Sequence, residues 1–362
     1  MLTALAGGTP DRVPWAPNFD HWLNVNTRNG TLPADLRGLS RNDIVRKIGA
    51  AIWARAGTYR EESQGNVRVT TRAEGDSTWT IYETPAGAVT TRHQAAPDLT
   101  RAVFLKEHMV KRVEDIEVAR YLIESTTYLP SYEQFAEAER EVGEDGIALT
   151  QALRSPRQWF MVSLAGWQAG IFLEADYPDR VHALYDLMAE KQLEAVRILA
   201  DSPAQVIELG DNMDATTTSP QNLRTFALPF YRECARLLHG KGKLLGSHYD
   251  GPIRALLPAV AESDLDFIEA FVPSPMGDAT LAEARAALRG KVAIQGGIPA
   301  VALCHGATME SVRDLVTRAL RDAEPGDGFA LGMGDNVPPD ADFALVRAIA
   351  GMVEEYYQSV RA

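Results

Sequence analysis

The stretch of the chain with the clearest chemical potential is KLLGSHYDG, residues 243–251, in which a short apolar segment ends at Gly246. Ser247, His248 and Asp250 follow it. An imidazole and a carboxylate two residues apart at a strand end point to the same side, because side chains of an extended chain alternate in direction. Such a pair can share a divalent metal, or act as a general base whose ring is oriented by the carboxylate. The alternative is an Asp-Gly turn beside a buried structural histidine.

Polar side chains follow several other short apolar segments in the same way. They are Asp211 and Asn212 after residues 206–209, Glu269 within residues 267–270, Gln295 at the end of residues 292–295, and Asp335 after residues 329–331. In a parallel barrel the carboxyl ends of the strands meet on one face. We therefore expect Asp211, His248, Asp250, Glu269 and Asp335 to converge there as a metal or acid/base site.

The elements that position these residues alternate between strand and helix after residue 145. Short apolar strands are predicted at 147–150, 206–209, 243–246, 267–270, 292–295 and 329–331, and helices at Pro178 to Ala200, Pro220 to His239 and Met309 to Ala323. Strands that alternate with helices form parallel βαβ units, and their number favours a closed barrel over an open sheet. The predicted fold is an α/β (β/α)8 TIM barrel.

The first part of the chain has a different pattern. A short strand near residues 13–16 leads into a polar and aromatic loop, in which Asn18, Asp20 and His21 are candidate site residues. Residues 40–57 are predicted to form a helix that begins after Ser40. Residues 66–71, 77–83 and 88–92 alternate β-branched or aromatic residues with polar ones, which predicts a small antiparallel meander. We interpret residues 1–362 as a single barrel domain with residues 66–92 as an insertion.

The composition excludes several classes of function. The 362 residues carry a net charge of −13, which disfavours binding to phosphate backbones and to anionic membrane surfaces. The two cysteines, Cys234 and Cys304, lack CxxC spacing, so neither a disulfide framework nor a cysteine-rich zinc site is predicted. The chain shows neither a signal peptide nor an apolar run of membrane-spanning length. We expect a cytoplasmic protein with no nucleic-acid or membrane partner.

Several motifs resemble those of the uroporphyrinogen decarboxylase-like superfamily, which includes cobalamin-dependent methyltransferases. They are Thr218-Ser219-Pro220, Leu228-Pro229-Phe230-Tyr231, SHYDG, residues 281–298 (LAEARAALRGKVAIQGGI) and residues 328–339 (GFALGMGDNVPP). The resemblance is strongest from Asp211 to Pro339 and implies the barrel fold already predicted.

Two departures from the family pattern bear on the reaction. The decarboxylases carry an arginine-rich signature near the N-terminus, where this chain has PWAPNFDHW without an arginine. The thiol methyltransferase branch binds zinc through His-x-Cys and a later Cys, and the matching positions here are His248, Asp250 and Asp335. The resemblance thus implies a divalent metal on these three residues, with zinc as the first expectation and manganese, iron or magnesium as alternatives suited to oxygen ligands.

The function implied by this resemblance is demethylation of a small methoxylated or N-methylated compound, with transfer of the methyl group to a corrinoid supplied by a partner protein. The expected catalytic residues are Asp211, Asn212 and Glu269, and the expected substrate-binding residues are Asn18, Asp20, His21, Trp22, Tyr249 and Phe271. A homodimer is the oligomer to test. Two alternatives remain open: a metal-dependent lyase or decarboxylase acting on a small carboxylated substrate, and a non-catalytic ligand-binding barrel.

Overall fold

The structure is a computed structural model that describes residues 1–98, 100 and 102–361, apart from the side chain of Arg361. Its strands are β1 Ile52–Arg55, β2 Tyr59–Ser63, β3 Arg68–Glu74, β4 Ser77–Thr84, β5 Gly87–Ala95, β6 Val103–Glu107, β7 Thr126–Pro130, β8 Gly146–Ala152, β9 Val206–Leu209, β10 Leu244–His248, β11 Phe267–Phe271, β12 Ala293–Pro299 and β13 Phe329–Gly334. Its α-helices are α1 Leu2–Leu5, α2 Asp20–Asn29, α3 Arg41–Lys47, α4 Asp115–Glu124, α5 Glu133–Val142, α6 Pro156–Trp159, α7 Trp167–Asp176, α8 Pro178–Asp201, α9 Pro220–Asn222, α10 Leu228–His239, α11 Leu257–Val260, α12 Leu281–Leu288, α13 Met309–Ala323 and α14 Phe343–Arg361.

The main sheet is a curled, parallel, seven-stranded sheet in the order β1-β8-β9-β10-β11-β12-β13. Every residue of β9, β11, β12 and β13 is buried. Parallel strands are covered on both faces, and this explains why they are short apolar runs rather than alternating ones. The predicted α/β class and the six predicted strands after residue 145 are confirmed.

The segment before α2 hydrogen-bonds to both edges of this sheet. Ala16 N donates to Leu331 O at 2.8 Å and Leu331 N donates to Pro14 O at 2.9 Å, while Ala51 N, next to β1, donates to Trp15 O at 2.7 Å. Trp15 and Leu331 form an isolated parallel bridge, not a regular strand. A complete eight-stranded barrel therefore stays a prediction, as does the assignment of residues 1–362 to one domain.

The helix predicted over residues 40–57 is wrong in its second half. Helix α3 begins after Ser40, whose side chain accepts from Asp43 N, but it ends at Lys47. Gly49 has a φ of 71°, a left-handed conformation that favours glycine, and the chain then extends into β1. Strand β1 pairs with β8 from Ile52↔Gly146 to Arg55↔Leu149, and this pairing overrides the helix propensity of its alanine and arginine residues.

The predicted meander is confirmed, with one more strand than expected. Strands β3, β4, β5 and β6 form an antiparallel sheet in sequence order. A separate antiparallel pair, β2 with β7, was also not predicted. Strand β2 is missed because the residues after Tyr59 are all polar and exposed. They lack the alternation of apolar and polar residues that identifies a half-buried strand.

The three helices predicted after residue 145 are found, and prolines and caps determine where they begin. Helix α8 occupies the first predicted range and α13 the third, the latter with a capping box at Thr308. The range Pro220–His239 is instead divided into α9, a π-helical turn at residues 223–227, and α10. Within the described residues, no helix is both long and apolar enough to cross a membrane.

Candidate active site at the carboxyl ends of the strands

Three ionisable side chains meet where β9, β10 and β11 end. They are Glu208, His248 and Glu269, and their candidate ligand atoms all lie within 4.8 Å of one another. The strand register produces this meeting, because His248 is paired with Glu269 across β10 and β11, while Glu208 is paired with Gly246 across β9 and β10. A Cβ at Gly246 would lie 2.1 Å from the Phe267 ring, so the strand that carries His248 needs glycine at this position.

A buried hydrogen bond joins the histidine to one of the glutamates. His248 Nδ1 bonds to Glu269 Oε2, and the Glu269 side chain is only 1% exposed. In the part of the chain that the structure describes, His248 Nε2 has no hydrogen-bond partner. The ring is therefore held from one side, and its second nitrogen is left without a hydrogen-bond partner among the described residues.

Arg55, at the end of β1, connects the two glutamates. Its Nη2 lies 3.1 and 3.0 Å from the two carboxylate oxygens of Glu208 and 3.1 Å from Glu269 Oε1. Glu208 also accepts a hydrogen bond of 3.2 Å from Gln151 Nε2. A positive guanidinium already compensates the buried carboxylates, so a metal ion among Glu208, His248 and Glu269 would be repelled by Arg55 or have to displace it.

The charges of this cluster shift its pKa values in opposite directions. Burial and the nearby charge of Glu269 raise the pKa of Glu208. Burial alone would raise the pKa of Glu269 too, but the charges of His248 and Arg55 outweigh it and hold that pKa low. Burial alone would lower the pKa of His248, yet the charge and hydrogen bond of Glu269 raise it to about 9. Perturbed pKa values of this kind are typical of functional sites, although structural ion pairs also produce them.

The backbone is distorted where Glu269 leaves the strand. The register between β11 and β12 shifts between Ile268 and Phe271, and Ala270 has a φ of 66°, which is unusual for a residue with a Cβ. Gln295 stabilises the distortion, because its Oε1 accepts from Ala270 N at 3.1 Å and its Nε2 donates to Ala16 O at 2.9 Å. A bulge of this kind re-aims a side chain, here that of Glu269.

The charge of His248 affects the pKa values of Asp250 and Asp335. The pKa of each is raised, chiefly by burial, and is lowered in part by the charge of His248. Each is also close to other acids: the charges of Asp335 and Asp214 raise the pKa of Asp250, and the charge of Glu269 raises that of both. The candidate ligand atoms of His248, Asp250 and Asp335 nevertheless do not all lie within 4.8 Å of one another. Their shared metal site therefore stays a prediction.

The side chains of these two aspartates differ in their local bonds. Asp335 has a left-handed φ of 74° and accepts from Asn336 Nδ2 at 2.6 Å. Asp250 precedes Gly251, which has a φ of 71°, but its carboxylate accepts no hydrogen bond from any described residue. The turn is therefore made by Gly251 without the side-chain hydrogen bond that an Asp-Gly bend would supply.

The loop before α2 contributes some of the expected substrate-binding residues. Asn18 forms a bridge with Asn336, and the charge of His21 acts on Asp335, so both lie beside the end of β13. Asp20 is instead paired with Arg41, whose Nη2 also donates to Trp53 O at 2.7 Å.

The expected aromatic residues belong to the packed interior. Trp22 is 3% exposed and stacks on Phe19 and Phe343, with ring centroids 4.8 and 4.9 Å apart. Tyr249 and Phe271 are both 0% exposed. A wall-forming role for these three side chains is compatible with this burial, and direct contact with a substrate stays a prediction.

Asp211 is held in a buried network of its own. Its Oδ1 accepts from Ser155 N at 2.6 Å and Ser155 Oγ at 3.0 Å, and its Oδ2 accepts from Tyr231 Oη at 2.5 Å. Burial raises its pKa, although these hydrogen bonds oppose the shift. Asn212 is exposed, and its carbonyl accepts from Gln158 Nε2 at 3.2 Å. The catalytic roles of both residues stay predictions.

Arg55 and Glu208 belong to the site although the sequence pattern did not predict them. Arg55 lay inside the incorrectly predicted helix, so its position at a strand end was hidden. Glu208 had a usable signal, since it is a charged residue within the fully buried strand VIEL. Charged residues are almost never fully buried unless they are paired, so this position alone predicts a partner.

Comparisons with known proteins identify the family, and one solved structure of similar fold matches nearly the whole chain. The methyltransferase from Methanosarcina mazei has a similar structure, with a TM-score of 0.61 and 13% identity, covering 98% of this chain and 97% of that chain. N-acetylneuraminate lyase from Aliivibrio salmonicida matches with a TM-score of 0.30 and 11% identity, over 62% of this chain and 57% of that chain. A comparison with curated protein sequences gives no match. The profile of the family described as uroporphyrinogen decarboxylase (URO-D) matches residues 91–356. The chain therefore belongs to the uroporphyrinogen decarboxylase family.

Proposed function

We propose that the protein is a metal-dependent methyltransferase that demethylates a small methoxylated or N-methylated compound and passes the methyl group to a corrinoid protein. One observation carries this proposal: Glu269 holds His248 by Nδ1, while Nε2 has no partner among the described residues, and the charge of His248 acts on the carboxylates of Asp250 and Asp335. The structural likeness to the Methanosarcina methyltransferase concerns the fold and is compatible with it.

The donor set fits a divalent ion of borderline or hard character. One imidazole nitrogen and two carboxylates suit zinc, and also manganese, iron or magnesium. The inner trio of Glu208, His248 and Glu269 fits less well, because Arg55 already supplies its positive charge. We therefore assign the ion to His248, Asp250 and Asp335.

The bound ion would supply a Lewis acid that makes the basic oxygen or nitrogen of the substrate a better leaving group. The residues of the chain prepare the site for this chemistry. Glu269 orients the His248 ring and keeps a proton on Nδ1, as carboxylate partners of metal-bound histidines do. Because the pKa of His248 is raised to about 9, Nε2 is protonated in the metal-free protein at neutral pH and would have to release its proton to serve as a ligand. Asn18 and His21, beside Asp335, are the polar residues that we assign to the substrate, and Trp22, Tyr249 and Phe271 shape the wall.

The proposal is tested with the purified protein, zinc and free cob(I)alamin. Methoxylated aromatics and methylamines are added in turn, and formation of methylcobalamin is followed by its absorbance. We expect product with at least one compound, loss of activity after chelation and its return with zinc, and no activity in His248→Ala. Consumption of a carboxylated compound without cobalamin would instead assign the lyase. A protein that binds no divalent metal would overturn the proposal in favour of a non-catalytic barrel.

A further inference from the structure

Behind His248 lies a layer of buried charge that the methyl-transfer chemistry does not itself require. Arg55 Nη2 bonds to both oxygens of Glu208 and to Oε1 of Glu269 at 3.0–3.1 Å. The side chains of Glu208 and Glu269 are 0% and 1% exposed. One guanidinium nitrogen thus ties together carboxylates from two different strands.

This layer determines the orientation of the Glu269 carboxylate. Its Oε1 accepts from Arg55 and its Oε2 bonds to His248 Nδ1, so rotation of the carboxylate would break one bond or the other. The arginine is fixed in turn, because Glu208 accepts from it with both oxygens. The chain of contacts runs from Glu208 through Arg55 and Glu269 to the histidine ring.

We propose that Arg55 and Glu208 are positioning residues: by fixing the Glu269 carboxylate they hold the His248 ring with Nδ1 turned inward, so that Nε2 is the nitrogen offered to a divalent cation. The proposal rests on the proposed function for the identity of that ligand. The position of Arg55 also explains why the cation would bind beside Asp250 and Asp335. The guanidinium already compensates the negative charge of Glu208 and Glu269.

A second buried ion pair provides a matched control. Arg157 bonds to both oxygens of Glu174 at 2.9–3.2 Å, and the two side chains are 8% and 17% exposed. This pair has the same chemistry and similar burial but makes no contact with His248. Its loss reports what removal of any buried ion pair does to the fold.

The first experiment measures the affinity for zinc alone, by competition with a chromophoric chelator. Glu208→Gln keeps the shape of the side chain but removes the charge that anchors Arg55. We expect it to bind zinc about 10–100-fold more weakly, as is typical when the partner of a metal ligand is lost. Arg55→Met should behave in the same way, Arg55→Lys should recover part of the affinity by restoring the charge, and Arg157→Met should bind zinc as the wild type does.

The second experiment needs no metal. The proton on Nδ1 of His248 is followed in 15N-edited spectra of the metal-free protein. It is assigned by its absence in His248→Asn. Held against a buried carboxylate, it should exchange slowly and resonate far downfield in the wild type and in Arg157→Met. It should weaken or disappear in Glu208→Gln and Arg55→Met, with thermal unfolding used to confirm that each variant is folded.

The two readouts separate the failure of each proposal. Wild-type zinc affinity and an unchanged ring proton in Glu208→Gln would overturn the positioning role, even if Arg55→Met failed to fold. Absence of binding of any divalent metal by the wild type would overturn the proposed function, and the ring proton alone would then decide the positioning role.

Discussion

Replacing Asp250 by asparagine should have opposite effects on the metal-free and the metal-bound protein. The carboxylate of Asp250 accepts no hydrogen bond from a described residue, so asparagine removes no turn contact. Burial and the charges of Asp335, Asp214 and Glu269 raise its pKa, and the charge of His248 offsets them only in part. The ionised side chain is therefore unfavourable in the folded metal-free protein, and only a bound cation would make its charge useful.

The sign of the stability effect follows from the direction of this pKa shift. A carboxyl group whose pKa is higher in the folded state stabilises the fold only in acid, and this contribution is lost as the pH rises through the folded pKa. At pH 7 the metal-free wild type thus carries a cost that Asp250→Asn lacks. With allowance for solvent screening, neighbouring charges at such a site contribute about 1 kcal/mol. For a chain of this length that raises the Tm of the variant by about 1 °C.

Zinc should reverse the order of stability. At a free concentration of 100 times the Kd, a ligand stabilises the folded state by about 2.7 kcal/mol, which corresponds to about 3–4 °C here. We expect this increase in the wild type and none in Asp250→Asn, measured by thermal unfolding with chelator and with zinc. The matched control is Asp214→Asn, since the Asp214 carboxylate accepts from Thr216 N and Thr217 N at 2.6 and 3.1 Å as a turn residue. A full zinc shift in Asp250→Asn would refute Asp250 as a ligand.

Three further predictions concern the metal, the acid stability and the core. Asp250→Cys should retain zinc and bind it in preference to magnesium, because a thiolate is a softer ligand; equal retention of both metals in equilibrium dialysis would contradict this. Burial alone would raise the pKa of Asp327, but the bonds of its carboxylate to Arg289 and Arg285 outweigh burial and lower that pKa. The ionised side chain therefore stabilises the fold above its unfolded-state pKa, and this stabilisation is lost as the pH falls through the folded-state pKa. Asp327→Asn should therefore lose about 1 kcal/mol at pH 7 and converge with the wild type in acid, and urea unfolding that shows a constant difference from pH 7 to pH 2 would contradict the assignment. Trp22→Ala should lose about 3–5 kcal/mol of unfolding free energy, because its stacked ring is 3% exposed, and a loss below about 1 kcal/mol in urea unfolding would show that the ring is not part of the core.

The sequence was sufficient for the part of the fold that is most regular. The apolar runs around Val206, Leu245, Ile268 and Leu331 predicted parallel strands because both faces of such strands are covered. Their carboxyl ends also indicated that His248 and Glu269 would meet, and the two side chains do so.

The sequence was insufficient where tertiary pairing decided the local structure. Residues 52–55 combine two strand-forming residues with two helix-forming residues, and their pairing with β8 makes them a strand, so the position of Arg55 could not be derived locally. The orientation of Glu269 depends in a similar way on the left-handed Ala270 and on its hydrogen bond to Gln295. No periodicity in the sequence encodes either contact.

The pairing of residues 14–16 with both edges of the sheet has a consequence for folding during synthesis. The hydrogen bonds of Ala16 and Pro14 reach Leu331, near the other end of the chain. At ordinary translation rates, an interval on the order of tens of seconds separates the synthesis of these two segments. During that interval the edge of β1 and the Trp15 segment have no final partner on the side of β13, and an unpaired strand edge is a site of association between nascent chains. Long-range closure of this kind also slows folding, because the entropy of the intervening loop is lost before the contact forms.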